Sequence, residues 1–151
     1  MSRSGRLARA ARDEAGNAIV EFVYLAVLLM VPLTYIMLTL FRVQGAAYAV
    51  SSATREAGRV YVSSASSEVA RDRALAAASI VMADSDLRLP PQDVHIICSA
   101  DPCLTPGATV DVAIGYDVAL PFLPRLFDAA PARVHVEGRH LEVVDRFRAT
   151  R

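Results

Sequence analysis

Cys98 and Cys103 frame the four residues Ser-Ala-Asp-Pro, and they are the chain's two cysteines. An even cysteine count favours a disulfide where the compartment is oxidising. The spacing excludes a redox Cys-x-x-Cys, and zinc would need two more ligands nearby. Asp93, His95 and Cys98 have the residue types of an acid, a base and a nucleophile, but a strand puts His95 and Cys98 on opposite faces. His135, Glu137 and His140 invite a metal. On a strand, however, His135 and Glu137 share the face opposite Val134 and Val136, and solvated polar side chains account for them. No Gly-rich phosphate loop, G-x-S-x-G or H-E-x-x-H occurs. All sixteen cations are arginine, which removes the P-loop lysine, the Schiff-base lysine and Ser-x-x-Lys chemistry. No catalytic residue, metal or cofactor is expected, and the chain does not read as an enzyme.

The remaining residue of chemical interest is Glu21, the one charge in "GNAIVEFVYLAVLLMVPLTYIMLTLF", residues 16 to 41. From Phe22 to Leu40 every residue is apolar or mildly polar, and Arg42 closes the run. About twenty residues at a helical rise of about 1.5 Å cover roughly 30 Å, the thickness of a bilayer's hydrocarbon core. A chain of 151 residues cannot bury such a helix on all sides. Pro32 would end most soluble helices, whereas membrane helices tolerate one with a kink. A carboxylate in such a span costs about 2–3 kcal/mol at the bilayer centre and less near an edge, where Glu21 stands. A carboxylate kept there should have a purpose.

The net formal charge is zero, but it is unevenly spread. Arg3, Arg6, Arg9 and Arg12 against Asp13 and Glu14 leave the leader at +2; twelve arginines against fourteen acids leave the rest at −2. Arginine placement predicts a cytoplasmic N-terminus and an extracytoplasmic C-terminal part. Clustered cations are lacking on the folded part, so nucleic acid is not an expected partner; membrane lipid is. A cleavable secretory signal is the alternative, with Ala47-Tyr48-Ala49 as its A-x-A triplet, but a signal's apolar region is about 7–15 residues and this one is longer.

The stretch "RDEAGNAIVEF" places a glycine after a short charged leader, then four residues, then Glu-Phe, then the span. It resembles the type IV prepilin signal, in particular that of the TadE-like pseudopilins of tight-adherence (Flp) pilus systems. The resemblance implies cleavage by a prepilin peptidase between Gly16 and Asn17, with Glu21 as the fifth residue of the mature chain. Cutting there creates a cation, the α-amine of Asn17, at the end of an apolar helix. A neighbouring helix offering Glu21 at the same depth could pair with it, and low dielectric would penalise a wrong axial register. "QGAAYAVSSATREAGRVYV", residues 44 to 62, is similar to the "A-x-x-A-A-R-E-G-A-R" stretch that follows the span in TadE-like proteins. The Cys98–Cys103 pair followed by alternating strands fits actinobacterial members. Partners implied are the peptidase and other pilin or pseudopilin subunits.

The expected organisation is a leader (1–16), a membrane helix (17–41), an extracytoplasmic helix extension (42–62) and an α+β domain (63–151). Val43, Ala47, Val50, Thr54, Ala57 and Tyr61 form a stripe of heptad type, and the small residues Ala46, Ala49, Ser51, Ser52 and Ala53 would let another helix approach. The stripe serves equally to pack on the protein's own domain. A second helix is expected over 68–83, with Glu68 pairing Arg71 and with Val69, Leu75, Ala76, Ile80 and Met82 facing the core. Then the period changes to two: strands at 94–98, 108–120 and from 132, the last with a bulge or turn at Gly138. The segment 121–131 reads as an apolar, proline-broken connector. The fold class is thus α+β, with three or four antiparallel strands covered by helix on one face. Alternatives to a minor pilin are an uncleaved single-pass anchor displaying a ligand-binding or adhesive domain, and a secreted domain released after Ala49.

Overall fold

The computed structural model describes residues 3–120 and 132–148, with side chains placed from residue 18 onward; the connector 121–131 lies outside the described residues. Helix α1 runs from Arg3 to Ser63 with Pro32 inside it, and α2 from Ser67 to Ala83. A short 3-10 turn, Pro91–Asp93, leads into β1 (Val94–Cys98), followed by β2 (Thr109–Ala119) and β3 (Arg133–Val143). The chain divides into two compact units, Met1–Leu40 and Phe41–Arg151. The fold is α+β, as the change of period implies, and the expected 94–98 strand is met residue for residue.

Beyond Glu21 the helix of the first unit is apolar on every side, and none of its apolar stretch is buried. Phe22, Leu29 and Val31 are each more than 60% exposed. A helix that is apolar all round and has no protein cover needs a non-aqueous surround, and this one is long enough to cross a membrane.

The second unit is built on a three-stranded antiparallel sheet of order β1-β2-β3. Val110, Val112, Ile114 and Val118 point inward from β2 and are buried, while Asp111 and Asp117 point out. Each fully buried Val or Ile contributes about 1.5–3 kcal/mol. Over this inner face lie Val50, Ala53, Thr54, Ala57 and Tyr61 of α1, together with Ala70, Ala74, Ala78 and Met82 of α2. The stripe on α1 therefore packs on the protein's own sheet, with Ala47 left exposed and Ala46, Ala49 and Ala53 taken into the interior.

Three expectations need correction. The buried row of α2 is Ala70–Ala74–Ala78–Met82, so Met82 is inside as expected and Leu75 half-buried, but Val69 and Ile80 are exposed at 45% and 63%, and Ala76 is exposed too. Alanines win the inward face because only small side chains fit where two helices and a sheet meet closely. Glu68 lies in the first turn of α2, but no ion pair joins it to Arg71 among the described residues. Gly138 marks neither bulge nor turn: β3 passes through it unbroken, paired with Ile114. A Cβ there would lie 2.8 Å from Val50 Cγ1, so the glycine lets strand and helix approach.

Both helix ends are closed by side-chain or backbone chemistry. At the end of α1, the Arg148 guanidinium donates to the carbonyls of Val62 (2.7 Å), Ser64 and Ala65 (3.2 Å). It places a cation where unpaired carbonyls and the helix dipole favour one. At the end of α2, Leu87 N donates to Met82 O (3.0 Å) and Asp86 N to Ala83 O (2.9 Å). This is the Schellman arrangement, and Asp86 occupies its left-handed position with φ 56°.

Candidate functional site

Gly16 and Asn17 lie within α1, and so does Glu21, four residues further on and exposed. Helical spacing puts Asn17 and Glu21 one turn apart on one side of the helix. Phe22, Val23 and Tyr24 follow directly, each at least half exposed. Among the described residues nothing forms a hydrogen bond or ion pair with Glu21. The structure thus presents one carboxylate at the start of an uncovered apolar helix. Its chemistry is that of a carboxylate without a partner among the described residues, open to a cation from outside.

The sulfurs of Cys98 and Cys103 are bonded, with the Cα atoms 5.2 Å apart. The disulfide closes the loop that follows β1, and the Tyr61 hydroxyl of α1 lies 3.8 Å from Cys98 Sγ. Cys98 is therefore unavailable as a nucleophile. His95 is exposed on the other face of β1, and Asp93 ends the 3-10 turn before it.

His135 and Glu137 point outward from β3, as expected, while His140 points the other way and meets Glu142 (Nε2–Oε2, 2.9 Å). Among the described residues no group of three His, Cys, Asp or Glu side chains could hold a metal ion. On the outer face of the sheet lies an open hollow of about 510 Å³, lined by Asp93, His95, Asp117, Arg133, His135 and Glu137 among others. Its floor is Gly115, where a Cβ would come within 3.1 Å of the His135 ring. The ring lies across that gap with Nδ1 2.7 Å from Asp117 Oδ1. Both side chains are more than half exposed, so water screens the pair. Beside the hollow, Arg139 grips Asp111 through Nε and a second guanidinium nitrogen, and that hydrogen bonding holds the Asp111 carboxyl below its usual range, against the opposing effect of desolvation.

Sequence reasoning singled out Glu21, the disulfide and the outward histidine. It missed Asp86 and Arg148, whose roles depend on backbone conformation and on contacts more than eighty residues apart along the chain. The one local signal for Asp86 was the run Ala-Asp-Ser-Asp-Leu at the end of α2, where a short polar residue tolerates left-handed backbone. Comparisons with protein-family models, curated proteins and solved structures find no match to this chain.

Proposed function

We propose that the chain is the precursor of a TadE-like minor pilin, cut between Gly16 and Asn17 and used in assembling a tight-adherence pilus that mediates surface adherence. The leader stays in the cytoplasm, residues 17–41 remain in the membrane, and the α+β domain stands outside. The observation that carries the reading is the pairing of an uncovered apolar helix with one acid, Glu21, that has no partner among the described residues and stands four residues beyond the residue that cleavage would expose. The new α-amine of Asn17 supplies the cation that Glu21 of an adjacent subunit lacks. Pairing two charges at one depth fixes the axial register, because any other stagger leaves both unpaired in low dielectric.

Release as a secreted domain after Ala49 fits poorly with the packing. It would cut α1 beside Val50, which is fully buried against β3, and would remove Ala46 and Ala49 from the interior. The uncleaved anchor displaying a binding domain draws support from the open outer-face hollow. Intact mass of the membrane-extracted protein, co-expressed with a prepilin peptidase, separates the two. Loss of the first sixteen residues supports the pilin reading, and a full-length chain favours the anchor. In the processed protein, Glu21→Gln keeps membrane anchoring and impairs assembly; unchanged assembly removes the register role.

A further inference from the structure

A second cavity, also of about 510 Å³, lies within the Phe41–Arg151 unit, lined by Phe41, Arg42, Gly45, Asp86, Leu87 and Tyr116 among others. Three features bear on what it could hold. Phe41 and Arg42 are the residues at which the apolar run ends, so in a membrane-anchored chain they stand where the span gives way to the lipid headgroups. Its lining residues include one arginine, Arg42, and one acid, Asp86, together with Phe41, Leu87 and Tyr116. And its carboxylate belongs to the one non-glycine residue of positive φ among the described residues.

That last feature is informative. The left-handed position of a Schellman motif is where glycine costs least, and Asp is among the few other residues that tolerate it, at a higher cost. Strained backbone held at a cavity is a pointer to use, argued from the outlier to the site. Glycine at 86 would close the helix at least as well; what it would lose is the carboxylate.

We infer that this cavity binds the headgroup of a phospholipid bearing a primary amine, with Arg42 on the phosphate and Asp86 on the ammonium. The inference rests on the proposed membrane anchoring. A guanidinium suits phosphate oxygens through its forked donors, and a carboxylate accepts from an ammonium that a quaternary headgroup cannot offer. The apolar walls receive the glycerol end and the start of the acyl chains. The space beside Gly45 is open, since a Cβ there meets nothing within 4 Å, so a large side chain placed there has room to fill the cavity.

The test uses the full chain, reconstituted in nanodiscs of equal phosphatidylethanolamine and phosphatidylcholine and released for native mass spectrometry. The wild type retains one phosphatidylethanolamine, enriched about fivefold over phosphatidylcholine. Asp86→Asn tolerates the same backbone and brings the two lipids to parity; Arg42→Gln lowers retention of both; Gly45→Phe fills the cavity and abolishes retention. Circular dichroism and cooperative thermal unfolding report that each variant is folded. A chain that stays embedded yet retains no lipid, or whose Asp86→Asn variant keeps the preference, overturns the inference and leaves the anchor intact. A chain recovered outside the nanodisc overturns both.

Discussion

Gly138 of β3 rests on Val50 of α1: a Cβ at 138 would stand 2.8 Å from Val50 Cγ1 and 3.2 Å from the Val50 carbonyl oxygen. Backbone, not only side chain, occupies the space, so a rotamer change at Val50 cannot relieve the overlap. Gly138→Ala therefore destabilises the domain by about 1–3 kcal/mol, the range of overpacked cores. Val50→Ala removes a fully buried side chain and costs about 2 kcal/mol on its own. The double variant is less destabilised than the sum of the two, because the missing Cγ1 makes part of the room the new methyl needs. Urea unfolding of the four proteins measures the coupling; strict additivity would show that helix and strand are not in contact there.

A second prediction concerns acid. Hydrogen bonding from Arg139 lowers the Asp111 carboxyl from its ordinary value of 3.8. A group depressed in the folded state contributes stability that is present above its unfolded value and is lost as pH falls through the folded one. Asp111 thus helps at neutral pH, begins to lose that contribution below about pH 4, and has lost it once the pH lies below the folded-state value. The contribution is small because Arg139 is 65% exposed and water screens the pair. Asp111→Asn lowers the midpoint of unfolding slightly at pH 7 and leaves it unchanged near pH 2, so the two stability curves converge in acid. Curves that stay parallel down to pH 2 would show that the pair contributes nothing.

The sheet was legible because a strand's side chains alternate with period two, and Val110, Val112, Ile114 and Val118 declare one buried face whatever lies over it. The phase of α2 was not legible. Alanine carries little hydrophobic signal, so Val69 and Ile80 outweigh Ala70, Ala74 and Ala78 in any reading by hydropathy. Burial there is decided by how closely α1 and the sheet approach, which is a property of other segments. Gly138 was noticed for the wrong reason, since a close approach and a bulge look alike in one dimension. Glu21 stood out locally because a charge in an apolar run is costly wherever the run is placed.

The disulfide closes a loop with a sequence separation of five residues, so its removal takes little constraint from the unfolded chain. Cys98→Ser with Cys103→Ser costs about 2 kcal/mol on the loop-entropy account. The domain still folds, since the buried core is built mainly from the sheet and the two helices, and the loop adds only the partly buried Ala100, Cys103 and Leu104 at its edge. Circular dichroism in the presence and absence of reductant checks this: the wild type in reductant and the double serine variant should melt together. Loss of the folded signal in either would make the disulfide a condition of folding and not a local staple.

Arg148 gives the sharpest test of long-range closure. Its guanidinium reaches three carbonyls, those of Val62, Ser64 and Ala65, at the turn where α1 gives way to α2. These carbonyls lie in or just beyond the last turn of α1, where helical donors run out, and a charged donor to such groups contributes about 1.5–3 kcal/mol. Arg148→Ala loses that and also frees the chain after β3 from the helix end. Arg148→Lys keeps the charge but not the fork that spans several acceptors, so it recovers less than half of the loss. Hydrogen exchange should then show faster opening in the last turn of α1 with little change in β2. Equal protection in wild type and Arg148→Ala would mean that the helix end is held by its own backbone alone.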